Sequence, residues 1–281
     1  MSTWYLGPLG DLRPLVCPEP NIRMSVVRYG GVHQGLSGAR TMDVTGHRQD
    51  FEFVFEYLEE DEYAWLEALH TRLVPGPHKL INPMRRNRLS LRSSNCLVAQ
   101  GRQRDGLQIP SRVTVERVPD FPAGYLGRSV RLSDWDEDYG YFRLDRYKPV
   151  PIMPGETLTV SMHLKTETSG AVGQIYTEWY NADGEPFTTT SHGEYALSES
   201  WDRHVRANIQ PPQGAVGVVA SFVLNNTPVI PVYVAMPQVE VGSSATDWQI
   251  GGGAVEVLVD QLETDSPRFP VYNTTLTLLE A

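Results

Sequence analysis

Val271-Tyr272-Asn273-Thr274-Thr275-Leu276-Thr277-Leu278-Leu279 reads as a β-strand, and Ala254 through Leu262 reads as another just before it. Two strands at the end of a chain are unstable alone, so they must complete a sheet begun elsewhere. Gly251-Gly252-Gly253 precedes them and predicts a flexible joint between domains rather than a catalytic loop. The simplest place for the returning strands is the beginning of the chain. There Asp50-Phe51-Glu52-Phe53-Val54-Phe55-Glu56-Tyr57 alternates acid and aromatic, the period of a strand with one buried face. Residues 22–29 and 78–82 add further strands. The expected domain is discontinuous, residues 1–90 with 251–281, and residues 91–250 are inserted into it.

One helix is expected in the first part. Glu59-Glu60-Asp61-Glu62 supplies acids at the positive end of a helix dipole, and Glu62, Leu66, Leu69 and Leu73 follow at helical spacing with Trp65 beside them. Pro75-Gly76-Pro77 stops it. From Asn87 to about residue 250 the texture changes to short β-type runs with no helix pattern. These are Thr157 through Leu164, Gln174 through Tyr180, His204 through Ile209, Val216 through Leu224 and Val232 through Ala235. Turns such as Asn181-Ala182-Asp183-Gly184 and Pro211-Pro212-Gln213-Gly214 separate them. Strands at this spacing imply a two-sheet sandwich or jelly roll. The expected fold class is mainly β: a discontinuous β-sandwich or split-barrel domain with one helix, plus an inserted jelly-roll β-sandwich.

Composition narrows the function. The chain has 281 residues, 41% of them hydrophobic and 21% charged, enough to bury a core. Its net charge of −10 argues against a broad phosphate-neutralising surface. Cys17 and Cys96 are too few for a disulfide framework and lack zinc-ligand spacing, so both are expected to be ordinary thiols. No apolar run reaches the roughly 20 residues that cross a bilayer, and the first residues lack a basic stretch followed by an apolar one. The expectation is a product made in the cytoplasm without a standard export signal. Of the 24 basic residues only Lys79, Lys148 and Lys165 are lysine, a bias that reads as a GC-rich genome.

The order of these pieces resembles the minor tail proteins of tailed bacteriophages, of the distal-tail type, from phages of GC-rich actinobacterial hosts. In the first ninety residues the resemblance rests on Phe51-Glu52-Phe53-Val54-Phe55, the acid-started helix, Pro75-Gly76-Pro77-His78 and Ile81-Asn82-Pro83-Met84-Arg85-Arg86-Asn87-Arg88-Leu89. In the insertion it rests on Val150-Pro151-Ile152-Met153-Pro154-Gly155-Glu156-Thr157-Leu158, Glu178-Trp179-Tyr180-Asn181-Ala182-Asp183-Gly184, Trp201-Asp202-Arg203 and Met236-Pro237-Gln238-Val239-Glu240-Val241-Gly242. These are similar to jelly-roll modules of the carbohydrate-binding type. The resemblance implies a homo-oligomer, a hexameric ring that continues the tail tube into the tail tip or baseplate of a virion. Its partners would be the tube protein above and the tip or hub protein below. The insertion would point outward to a host cell-wall glycan, and DNA would pass through the ring without specific binding. No membrane insertion is implied. A non-viral or secreted carbohydrate-binding protein is the alternative.

A ring needs an edge strand or loop that pairs heterologously with the next copy. The aromatic strand 50–57 with its helix is the best candidate, although the same residues would also serve as intramolecular core.

Saccharide binding calls for flat rings that cover a sugar's apolar face, with amides and carboxylates that reach its hydroxyls. Along Gln174 to Tyr180, Tyr176, Glu178 and Tyr180 share one face and Ile175, Thr177 and Trp179 the other. The pattern predicts Trp179 inside and Tyr176, Glu178 and Tyr180 outside, with Trp135 as a further ring. Asp134, Asp136 and Asp138 invite comparison with an oxygen-ligand calcium loop. The glycine falls one place late, at Gly140, and Asp145 stands where glutamate is usual. Structural calcium in another geometry is the one metal this cluster suggests, and no other cofactor is expected. The seven histidines form no His-Glu-x-x-His pattern, and no Gly-x-Ser-x-Gly elbow or phosphate loop occurs, so a binding rather than an enzymatic role is expected.

Overall fold

A computed structural model describes residues 3–16, 22–43, 46–99, 103–124, 129–135, 140–225 and 230–281. The chain opens with β1 (Tyr5–Gly7), β2 (Arg13–Pro14), β3 (Arg23–Tyr29), β4 (Val32–Gln34), β5 (Arg40–Met42) and β6 (Gly46–Leu58), then α1 (Glu60–His70) and β7 (His78–Ile81). After α2 (Leu91–Ser94) come β8 (Leu107–Gln108), β9 (Thr114–Val118), β10 (Ser129–Ser133), β11 (Gly140–Leu144), β12 (Val150–Pro151), β13 (Leu158–Thr166) and β14 (Val172–Tyr180). The remaining strands are β15 (Pro186–Ala196), β16 (Asp202–Ile209), β17 (Gly217–Asn225), β18 (Val232–Val241), β19 (Ala254–Arg268) and β20 (Val271–Glu280). The protein is mainly β.

Two compact units result. Thr3–Pro8, Leu12–Leu80 and Glu256–Ala281 form one, and Leu9–Asp11 with Ile81–Val255 forms the other. The limits expected from the sequence, 90/91 and 250/251, fall about ten residues inside the second unit at its start and five at its end. Leu9–Asp11 belongs there as well. A Cβ on Gly217 would lie 3.2 Å from a Leu9 methyl, which shows how closely that short segment is seated.

The discontinuous unit is a seven-stranded sheet in the order β2-β1-β7-β19-β20-β6-β3. β20 pairs antiparallel with β6, with Leu276 opposite Phe53 and Leu278 opposite Phe51. Phe51, Phe53 and Phe55 are fully buried, and Trp4 meets Phe53 edge-on at 5.1 Å. The strand that the ring reading nominated as an intersubunit edge is therefore interior: β6 lies between β20 and β3, and its aromatic face is core. Lys79 and Glu256 form a buried ion pair at 3.2 Å on the neighbouring strands.

The open edges are β2 and β3. Met24, Val26 and Tyr29 on β3 are exposed. Beyond β3 the β4–β5 hairpin forms its own two-stranded sheet and exposes Val32, Leu36 and Met42. These six exposed side chains make β3, β4 and β5 an apolar arm.

α1 begins where the acids predicted. The Glu59 N–H donates to Glu62 Oε2 at 3.0 Å, satisfying a backbone donor that the first turn leaves free. The helix ends at His70 rather than reaching Leu73, because Arg72 turns into the left-handed region (φ 61°) and Val74 N–H reaches back to Ala68 O at 3.1 Å. Leu66 and Leu69 are buried, and Leu73 is solvent-exposed.

The second unit is a sandwich. One sheet runs β16-β13-β18-β10-β9, the other β15-β14-β17-β11-β8 with β12 added beside β17. Alternation along each strand sends one set of side chains inward. Leu158, Val160, Met162 and Leu164 of β13 and Val232, Val234 and Val239 of β18 share one core with Ile175, Trp179, Phe222 and Phe142. Phe142 and Phe222 stack at 5.2 Å. Cys96 is buried, and burial pushes its thiol up to about 12, so it stays protonated and unreactive. Cys17 lies outside the described residues.

Two features of the sandwich depart from the sequence expectation. The first is α2, a single turn that no apolar period announces. Ser90 caps it through Ser93 N–H at 3.0 Å. The buried carboxylate of Asp145 accepts from Ser90 N–H at 2.8 Å, Ser90 Oγ at 2.6 Å, Ser93 Oγ at 2.8 Å and Gly106 N–H at 2.9 Å.

The second is Gly251-Gly252-Gly253, which is not a loose joint. Gly252 N–H donates to Leu89 O at 2.6 Å, Gly253 N–H to Asn87 O at 2.9 Å, and Asn82 N–H to Gly253 O at 2.9 Å. The amide of Asn87 donates to Pro237 O at 3.0 Å and Gln249 O at 2.9 Å, and its oxygen accepts from Leu89 N–H and Val239 N–H at 3.2 Å each. The glycines are there because backbone approaches backbone with no room for a side chain.

The sandwich also carries histidines whose charge is disfavoured. Burial pushes His163 down to about 4, helped by Arg203 and His204, and burial lowers His192 and His204 too. Each stabilises the fold while neutral. That contribution is complete above the ordinary value of 6.5 and is lost as pH falls below it, for His163 toward about 4, because the unfolded chain takes up the proton first. Asp120 and Glu167, lowered by their bonds to Lys165 and Arg131, lose their contributions in the same direction at lower pH. Calorimetry is expected to show the sandwich transition moving to lower temperature as pH drops from 6.5 to 4; a transition unmoved over that range would contradict this reading.

Candidate functional site

The site is built on the outer face of the sheet containing β14. Ile175, Thr177 and Trp179 point inward, where Trp179 is fully buried and its indole N–H donates to Thr190 Oγ1 at 2.9 Å. Their alternates must point out. Register then fixes what stands beside them. Tyr176 lies opposite Ser191 on β15 and Ser221 on β17, Ser221 lies opposite Arg143 on β11, and Arg143 lies opposite Gln108 on β8. Ser191, Tyr176, Ser221, Arg143 and Gln108 thus form one row across five strands.

Parallel rows flank it. On one side Gln174 faces Glu194 and Val223, and Val223 faces Tyr141. On the other, Glu178 faces Thr189 and Val219, followed by Tyr180. Tyr176 donates to Gln174 Oε1 at 2.6 Å, and Tyr180 donates to Glu178 Oε2 at 3.0 Å. The Gln174 amide also meets Ser191 Oγ. These bonds hold the side chains in fixed rotamers, so little entropy remains to be lost when a ligand arrives.

Tyr176, Glu178, Tyr141 and Arg143 are half-buried, whereas Tyr180 is only 7% exposed. The loop after β11 covers that end of the face: Arg146 N–H donates to Gln108 Oε1 at 3.0 Å, and Arg146 O lies 3.5 Å from the Tyr180 hydroxyl. Burial raises the Tyr180 phenol, and the neighbouring Glu178 carboxylate raises it further, against the opposing pull of Arg146 and Arg143. The phenol therefore stays a hydrogen-bond donor at neutral pH. The guanidinium of Arg143 lies 5.1 Å from the Tyr141 ring and that of Arg146 5.4 Å from the Tyr147 ring. The face thus offers rings, charged donors, hydroxyls and two carboxylates, Glu178 and Glu194, within a few strand spacings. This is the mix that binds a polyhydroxylated ring.

Not every residue nominated from the sequence belongs here. Trp135 is core: it is 5% exposed, and its indole N–H donates to Ile230 O at 3.0 Å. A buried ring committed to a backbone acceptor cannot stack on a ligand. Asp136 and Asp138 lie outside the described residues. Asp134 is exposed and has φ 58°, with its Oδ2 3.5 Å from Ser133 Oγ. Among the described residues no group of three metal-ligating side chains comes together. Arg143, Arg146, Gln108, Gln174 and Ser221 were missed. Tyr141-Phe142-Arg143 does alternate as a strand, but which strand it joins, and in what register, is set only by the assembled sheet.

No known family matches the chain, and no curated protein resembles it in sequence. Solved structures with a similar strand arrangement include the CBM22-1 xylan-binding domain of Paenibacillus barcinonensis Xyn10C. It is 12% identical with a TM-score of 0.40, over 56% of this chain and 94% of that one. The C-terminal family 22 carbohydrate-binding module of Clostridium thermocellum Xyn10B is 11% identical at a TM-score of 0.38, over 50% of this chain and 88% of that one. The enzymatically active domain of bacteriophage CBA120 tailspike protein 4 is 15% identical at a TM-score of 0.42, over 56% of this chain and 21% of that one. Likenesses this distant fix neither ligand nor activity, and the site stands on its own side chains.

Proposed function

We propose that the protein is a structural, glycan-binding component of a virion, a subunit of the ring at the distal end of a phage tail, with the sandwich as its saccharide-binding module. The observation that carries the binding half is the row Ser191, Tyr176, Ser221, Arg143 and Gln108 with its flanking Glu178 and Gln174. It combines a ring for stacking with fixed donors and acceptors for hydroxyls, on a rigid sheet. The reading assigns binding and assembly, with no catalytic step.

The tail setting rests on the ordered sequence pieces and on the arm of β3, β4 and β5, whose apolar side chains need cover that an assembly would supply. Within that setting the discontinuous unit closes the ring between tube protein and hub, the sandwich faces the host cell wall, and the acidic chain lets DNA pass without holding it. A monomeric carbohydrate-binding protein outside any virion is the second reading, favoured by the completeness of the sugar-type face within one sandwich.

Mass photometry and negative-stain microscopy separate the two. Rings with an open centre are expected, lost in Val26→Asp, which places a charge in the arm, while glycan binding survives. Tyr176→Ala is expected to leave rings intact and weaken glycan binding by about tenfold or more, the worth of one stacked ring. Strictly monomeric wild-type protein that binds cell-wall glycan would overturn the tail setting. Unaltered glycan binding by Tyr176→Ala would overturn the assigned face.

A further inference from the structure

The saccharide reading leaves open what kind of sugar the face takes, and its arginines narrow it. Elsewhere in the sandwich, several basic side chains are held by oxygens: Arg88 makes a two-pronged pair with Glu156 at 2.6 and 2.7 Å, Arg131 meets Glu116 at 2.9 Å and Glu167 at 2.8 Å, Lys165 meets Asp120, and Arg203 donates to Ser161 Oγ and Thr246 O at 3.0 and 2.6 Å. Among the described residues, Arg143 and Arg146 instead have aromatic rings as their side-chain contacts and no carboxylate within ion-pair distance. Both are half-buried on the same side of the face, and both lie close enough to Tyr180 to act on its hydroxyl. A half-buried guanidinium without an anion forgoes its strongest interaction, the planar two-pronged bond to an oxyanion.

Resting on the saccharide reading, we propose that this face binds a uronate, a saccharide whose ring carries a carboxylate, with Arg143 and Arg146 holding the acid. Tyr176 and Tyr141 stack on the sugar rings, and Glu178 and Ser221 take hydroxyls. Glu178 sets the direction. A ligand carboxylate placed near β14 would meet it and be repelled, so the acid lies toward β11 and the hydroxyl-bearing edge toward β14.

Isothermal titration of the full chain at low salt, with a fixed panel, decides the matter. The probes are tetragalacturonate, tetraglucuronate, the methyl ester of tetragalacturonate, neutral xylohexaose and a poly(glycerol phosphate). At least one uronate is expected to bind about ten times more tightly than the ester and xylohexaose, a preference that shrinks as salt is added. Arg143→Gln is expected to bring the uronate affinity down to that of the methyl ester while the melting temperature stays unchanged. Arg143→Lys, a point charge without the fork, is expected to restore part of the preference. Neutral sugars binding as tightly as uronates, or a preference for the phosphate polymer, would overturn the uronate assignment and leave saccharide binding standing. No measurable binding across the panel would overturn both.

Discussion

A chain ended after Gly253 is expected to lose the fold of the discontinuous unit while the sandwich still unfolds as a cooperative domain. The truncation removes β19 and β20, and with them the partners that lie opposite Phe51 and Phe53. It also removes Leu276, Leu278, Val257 and Glu256, leaving Lys79 without the carboxylate it is buried against. Uncovering a large buried aromatic costs about 3–5 kcal/mol, and three of them together reach the whole of what a domain of this size has in reserve, about 5–15 kcal/mol in total. Near-ultraviolet circular dichroism should lose the Trp4 and Phe signature, and limited proteolysis should cut within residues 3–80. A truncated chain that keeps both calorimetric transitions would show that the returning strands are dispensable.

The second large effect is expected at the three glycines. A Cβ on Gly253 would stand 2.5 Å from Arg85 O and 2.7 Å from Asn87 O, and one on Gly251 would overlap Leu89 O and stand 2.5 Å from Ser90 O. These obstacles are backbone, which cannot swing aside. Gly251→Ala and Gly253→Ala are each expected to destabilise the sandwich by about 3 kcal/mol or more, read from the denaturant midpoint. A flexible joint would tolerate both changes with almost no effect, so the experiment separates the packed reading from the hinge reading directly.

These cases also show what the sequence can carry. The mainly β class was legible because alternation along 50–57, 174–180 and 271–279 is a local property, fixed by the period of the strand. The start of α1 was legible because Glu59 through Glu62 act on the first turn and nowhere else. The burial of Phe51, Phe53 and Phe55 was not, since one alternating pattern serves an intramolecular face and an intersubunit face equally well. Composition misled at Gly251-Gly252-Gly253: glycine permits flexibility and also permits the closest approach of two backbones, and only the neighbours tell which. Trp135 looked like a free ring because nothing local reveals that Ile230 O awaits its indole N–H. Arg143 was invisible as a site residue because its neighbour Tyr176 is brought to it through Ser221, by a register that exists only in the assembled sheet.

The Asn82 to Gly253 bond and the Asn87 clamp have a consequence for how the chain could have been assembled in evolution. They place the first and last residues of the sandwich side by side, so the module begins and ends at one point and its long excursion is already closed. A segment closed in this way behaves as a cassette. Removing it, or exchanging it for another whose ends meet at the same separation, asks for a splice between Ile81 and Ala254, and the sheet that receives the splice need not be redesigned. The surface that the module presents could then change by exchanging the cassette alone, with the remainder of the chain kept as it is.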